Sequence, residues 1–195
     1  MGNVGLFYVG AVLFLNSFLL LGKIHAKSAA IFNLFIGFMQ VVFPILILIE
    51  ANGDKWLIYN TAGTFLFGFT YLFVGFTNLF QLDSTGVGLY SLWVAIIAVA
   101  YSLINFLYFH DIKFGIIWIM WAFLWGLFYV LLGLKKEISI FTGWVTFIES
   151  WLTATIPAFL SMIGIWENVS DNLAITIGIL FSLIVIILFR KTSNN

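Results

Sequence analysis

Phe114-Gly115-Ile116-Ile117-Trp118-Ile119-Met120-Trp121-Ala122-Phe123-Leu124-Trp125 is a run without a charged or amide side chain. Phe114, Trp118, Trp121 and Trp125 are spaced i, i+4, i+7 and i+11, so on a helix the four rings fall within about 60° of one face. Large rings ordinarily fill cores. In membranes, however, tryptophan favours the interface, where its N–H stays wet. This column runs from one end of an apolar segment well into it, and buried indole N–H groups need partners. A polar, partly wet path through the membrane would supply them. A packing stripe and the wall of such a path are both consistent with the spacing.

The whole chain shares this character. Of 195 residues, 63% are hydrophobic and 8% charged, and the mean hydropathy is +1.14. A soluble domain carries about 25% charged residues. The expectation is an all-α membrane protein with almost no extramembrane part. Net charge is zero, which leaves no basic footprint for nucleic acid. Cysteine is absent, excluding disulfides, thiolate ligands and cysteine nucleophiles. No cofactor or metal is expected. The first apolar segment has no positive residue before it and no small-residue cleavage site after it, so it reads as a retained helix.

Stretches of about 18–25 apolar residues span a bilayer. Seven occur, at 4–22, 29–50, 58–80, 87–109, 114–134, 139–165 and 173–189. The chain reads as one polytopic domain, 1–195, with a channel-like bundle over 1–166 and an additional helix and tail over 167–195. Orientation follows from lysine and arginine, which favour cytoplasmic links. Lys23, Lys27, Lys135, Lys136, Arg190 and Lys191 fall on one side, and Lys55 and Lys113 on the other. The N-terminus is therefore expected outside and the C-terminus in the cytoplasm.

Polar residues mark particular faces. The first span carries Asn16 and Ser17; the second has Asn33, Gly37 and Gln40 at i, i+4, i+7, then Pro44. In the third, Thr61, Gly68 and Gly75 form a small-residue seam suited to close helix packing. Phe67, Tyr71 and Asn78 lie on another side. Ser91, Ala95, Ala98, Ser102 and Asn105 in the fourth read either as a packing seam or as a mildly polar wall. The sixth holds Glu149, with Thr146 and Thr153 on the same face. A lipid-facing carboxylate costs at least ~2–3 kcal/mol, so Glu149 must face protein or water. It is either a carboxyl held between helices or a polar group lining a permeation path. Pro157 follows, and its missing N–H frees a carbonyl one turn back.

Several of these segments together resemble the urea and amide channels called the AmiS/UreI family. They are Leu6-Phe7-Tyr8-Val9-Gly10, Lys27-Ser28 through Asn33, Leu66-Phe67-Gly68-Phe69-Thr70-Tyr71-Leu72, Tyr90-Ser91-Leu92-Trp93-Val94-Ala95-Ile96, Ile116-Ile117-Trp118 with Trp121 and Trp125, and Ile148-Glu149 with Leu152-Thr153-Ala154 and Ile156-Pro157-Ala158. The resemblance covers nearly all of the first six spans. It implies a passive channel in a bacterial cytoplasmic membrane, a homo-hexamer with one pore per protomer, and urea and small amides as substrates for an internal urease or amidase. It also implies that Phe67, Tyr71, Trp118, Trp121, Trp125 and Glu149 line the constrictions. Phe114 and Thr153 join that set from the aromatic column and the Glu149 face. Position 114 is Phe where the best-known member has Trp. The second and fourth links are shorter than the histidine-bearing outer loops of acid-gated members, and the seventh span has no counterpart in six-helix members.

Other classes fit less well. A proton-coupled transporter would use Glu149 as its relay. A heptahelical photoreceptor needs a Schiff-base lysine in the last span, and 173–189 contain none. An enzyme needs a catalytic set, yet the only histidines, His25 and His110, fall on opposite membrane sides.

Overall fold

The computed structural model describes residues 2–193. Seven helices are long and apolar enough to cross a membrane: α1 Gly2–Leu20, α2 Ala26–Glu50, α3 Lys55–Phe80, α4 Thr85–Phe109, α5 Ile112–Gly133, α6 Ser139–Met162 and α7 Asp171–Thr192. No strand occurs among the described residues. The boundaries fall within a few residues of those expected, because local stops set them. Asp54 caps α3 by accepting from the backbone N–H groups of Trp56 at 2.8 Å and Leu57 at 3.0 Å. These donors hold its carboxyl below its ordinary pKa. Asp111 caps α5 through the Phe114 N–H at 2.9 Å. Gln81 and His110 turn the chain with positive φ of 56° and 53°.

Close helix approach follows the small residues. A methyl on Gly68 would stand 2.8 Å from the Gln40 carbonyl oxygen of α2, and one on Gly75 would stand 2.7 Å from Leu34. The seam on α3 is therefore where α2 packs. Gly88 of α4 meets Gly133 of α5 with no room for a Cβ. Ser102 adds a donor across that contact, its hydroxyl bonding the Gly115 carbonyl at 2.8 Å. The Ser91–Asn105 face is thus a packing seam in its middle.

Three stretches widen from α- to π-helical geometry: Asn105–Phe109 ending α4, Tyr129–Gly133 ending α5, and Ser150–Thr155 within α6. The last of these lies just before Pro157, whose missing N–H was expected to free a carbonyl one turn back. The Ile156 N–H bonds the Trp151 carbonyl, and the Thr155 hydroxyl takes up the Ser150 carbonyl at 2.7 Å. Such bulges recur at functional sites.

The seventh helix lies apart. Only 6% of its apolar stretch is buried, against 28% to 50% in the other six. It rests on α5 and α6 through Phe181 against Phe123 and Phe189 against Phe141. Lys113 reaches the Trp166 and Val169 carbonyls at 3.2 Å and ties down the link before it.

Candidate functional site: two cavities and the rings between them

The aromatic column of α5 faces inward, its three indoles only 4% to 8% exposed. Phe67 of α3 sits at their centre. Its ring lies 4.7 Å from Trp121, 4.9 Å from Trp125 and 6.2 Å from Trp118. Trp118 and Trp121 meet edge to face at 4.9 Å. This is the preferred arrangement of two quadrupolar rings. Tyr71 stands one turn from Phe67, with ring centroids 6.4 Å apart.

A cavity opens on either side of this cluster. The upper one, about 440 Å³, lies at the end of the bundle that carries Gly2 and the α4–α5 link. Its walls include Asn3, Gln40, Asn60, Thr64, Asp111 and Phe114. The lower one, about 110 Å³, lies toward the other end, among Leu13, Asn16, Leu20, Tyr71, Trp125 and Phe128. Phe67 and Trp121 line both cavities. These two rings are the partition between them. Trp118 belongs to the upper cavity, and Tyr71 and Trp125 to the lower.

Glu149 and Thr153, expected on the path, line neither cavity and are tied to the site only through Trp121. The Trp121 indole N–H donates to the Thr153 hydroxyl oxygen at 2.8 Å, and that hydroxyl donates to the Glu149 backbone carbonyl at 2.6 Å. The ring at the partition is thereby fixed to α6, and its N–H is committed to protein rather than free for a solute. Glu149 is fully buried, and neither carboxyl oxygen has a hydrogen-bond partner among the described residues. No group of histidine and carboxylate side chains suited to a metal occurs among the described residues.

Rings outside the expected set also line the cavities, Tyr101 and Phe109 above and Phe128 below. Tyr101 of α4 stacks on Trp118 at 4.4 Å and 24°, and on Tyr59 at 4.4 Å and 18°. Its hydroxyl donates to the Tyr59 carbonyl at 2.7 Å. Tyr101 follows Ala98 by three residues and precedes Asn105 by four. The row 98, 101, 105 therefore gave the signal. Asn16, which lines the lower cavity, is held in a reciprocal amide pair with Asn33, at 2.9 and 2.7 Å.

Residues 1–165 match the AmiS/UreI family transporter profile. The chain belongs to the AmiS/UreI family. It is 48% identical to a Rhodococcus erythropolis protein named as a transporter, AmiS2, over 84% of this chain and 80% of that one. It is 31% identical to the acid-activated urea channel of Helicobacter pylori strain J99, over 83% of this chain and 97% of that one. The closed-state cryoEM structure of the Helicobacter pylori urea channel superposes with a TM-score of 0.77 at 33% identity, covering 84% of this chain and 98% of that one. This AmiS/UreI protein is accordingly a multi-pass membrane transporter and not an enzyme. The family match stops before α7.

Proposed function

We propose that this chain is a passive channel for urea and other small neutral amides, feeding a cytoplasmic urease or amidase. The observation that carries this reading is the pair of cavities meeting at Phe67 and Trp121. A flat, neutral solute contacts ring faces on its way through, while its edges exchange hydrogen bonds with the polar wall above. Glu149, one turn before Thr153 and with its carboxyl oxygens unpartnered, supplies the acceptor that a substrate N–H meets as the rings part. No ring of charge among the described residues stands ready to replace the hydration shell of an ion, so ions are refused.

In this reading the upper cavity faces outward across a bacterial plasma membrane, and the protein assembles as a hexamer with one path per protomer. The lysine and arginine distribution supports that orientation. Single cysteines at Asn3 and Asn195, the latter outside the described residues, test it with an impermeant maleimide. Labelling of the Asn195 site from outside intact cells would overturn it.

The functional test is stopped-flow light scattering on proteoliposomes with urea, acetamide, glycerol and sodium salts in parallel. Urea and acetamide should equilibrate well above empty vesicles, and sodium should not. Equal rates with and without protein would end the proposal. The unpartnered Glu149 carboxyl favours one second reading, a proton-coupled transporter. Accumulation of amide against its gradient, driven by a pH difference, would select that reading.

A further inference from the structure

The partition cluster leaves one buried polar group of the upper cavity unused. Gln40 is 2% exposed, lines that cavity, and its Oε1 has no hydrogen-bond partner among the described residues. A buried amide oxygen without a partner is costly in a membrane. Its position is nevertheless tightly built. The Gln40 carbonyl lies against Gly68 on one side, and its side-chain amide against Gly5 of α1 on the other. A methyl on Gly5 would stand 2.6 Å from Oε1. Oε1 itself is packed toward Gly5, and because the terminal torsion of glutamine is broad, turning the amide plane brings its oxygen and N–H together to the cavity.

We infer that Gln40 is a recognition station for primary amides above the aromatic partition. The inference rests on the channel reading and names what the channel prefers. A side-chain amide carries a donor and an acceptor side by side and is neutral at every physiological pH. A solute with an N–H syn to its carbonyl matches both at once, in the reciprocal pair that Asn16 and Asn33 form at 2.9 and 2.7 Å elsewhere in this chain. Urea, formamide and acetamide have that N–H. A secondary amide does not, because it holds its N–H anti to the carbonyl; the opposite isomer costs about 2.5 kcal/mol. Polyols lack the planar pair altogether. The station satisfies Gln40 while occupied, and a single neutral pair is weak enough to release its solute onward.

The test compares two isomers of one composition, acetamide and N-methylformamide, in proteoliposomes, each corrected for empty vesicles. Wild-type protein should prefer acetamide. Gln40→Met keeps length and removes both hydrogen-bonding groups. It should lower the acetamide-to-N-methylformamide ratio by about three- to tenfold, the range a lost hydrogen bond commands. Gly5→Ala should lower the same ratio by displacing the amide without removing it, which keeps the test decisive if Gln40→Met does not assemble. A wild-type ratio in an assembled Gln40→Met protein, or in Gly5→Ala where Gln40→Met fails, would overturn the inference while leaving the channel standing. Absence of urea and acetamide flux in the wild type would overturn both.

Discussion

The two cavities carry similar residue types but use them differently. In the lower one most of the buried polar side chains are spent locally, Thr77 Oγ1 being the exception without a partner among the described residues. Thr70 donates to the Leu66 carbonyl at 2.6 Å, Ser91 to the Val87 carbonyl at 2.8 Å, and Asn16 is closed against Asn33. The rest of that wall is mainly aliphatic side chain and aromatic ring, with the half-buried Asn78 and Ser84 among them. In the upper one Gln40 Oε1 is unpartnered, and Asn3 and Asn60 are exposed on the cavity wall. The lesson is that residue type alone does not make a wall wet; the local hydrogen-bond account does. A solute entering from above would exchange water for amide contacts before it reaches the rings, then pass into a narrower apolar chamber.

The largest expected effect comes from removing the partition. Trp121→Ala should either collapse the path and abolish urea flux, or join the chambers and raise the permeability ratio of larger amides to urea. A shift of at least about tenfold is expected, the scale on which an apolar pocket senses a methylene. Proteoliposome flux on protein of confirmed assembly measures it. Unchanged selectivity would remove Trp121 from the path. Next comes Glu149→Gln, which keeps size, adds a donor and removes any charge. Urea flux should fall severalfold with the oligomer intact, as size-exclusion with light scattering can check. Loss of assembly instead would make the carboxyl a structural group.

Thr153→Val and Trp121→Phe test how the partition is held. Each removes the same 2.8 Å bond, so their effects on thermal stability should not add. The shared coupling should be about 0.6 kcal/mol, the average for polar pairs between membrane helices. Full additivity would mean that the bond contributes nothing. The smallest effect should be that of pH. Stepping the upper-side pH from about 7.5 to 5, a range that brackets the ordinary histidine value, should change urea flux less than twofold. A step on the lower side should do as little. Lys135 bonds Asp83 at 2.8 Å and, with Thr85, holds that carboxyl well below its ordinary range. A depressed carboxylate stabilises the fold above its unfolded value of about 3.9 and loses that contribution only as pH falls below it. A larger change that His110→Ala abolishes would identify His110 as a sensor.

Much of this was legible in the sequence because membrane physics writes it there. Span length fixed the seven helices, and the i, i+4, i+7, i+11 spacing placed Trp118, Trp121 and Trp125 on one buried face. The α3 seam of Gly68 and Gly75 was expected to receive another helix, and α2 packs there. Other features depend on contacts between spans distant in sequence. A wet path was expected to supply partners for the buried indole N–H groups, but for Trp121 the partner is Thr153, thirty-two residues on. Gln40 read only as one polar position among several, since nothing in α2 announces that Gly5 will lie beneath its side chain. The assignment of Ser91 and Asn105 to different ends of the bundle likewise needed the fold, because one face of α4 passes from the lower cavity through a packing seam to the upper.

The wide turn at Ser150–Thr155 sets how tolerant this protein is to insertion and deletion. It buries Ser150, Thr153 and Ala154 while leaving Trp151 43% exposed. It also joins two α-helical segments, Ser139–Glu149 and Ile156–Met162, whose faces are out of step with a single continuous helix. A π-bulge holds one residue more than the α-helical winding it replaces, so deleting one residue there would let the turn relax to α-helix with Ile156–Met162 close to its present orientation relative to Glu149. A deletion in the α-helical segment Ser139–Glu149 would instead rotate everything after it by about 100°. Single-residue length variation should therefore be accepted more readily in this turn than in the helical segments on either side of it.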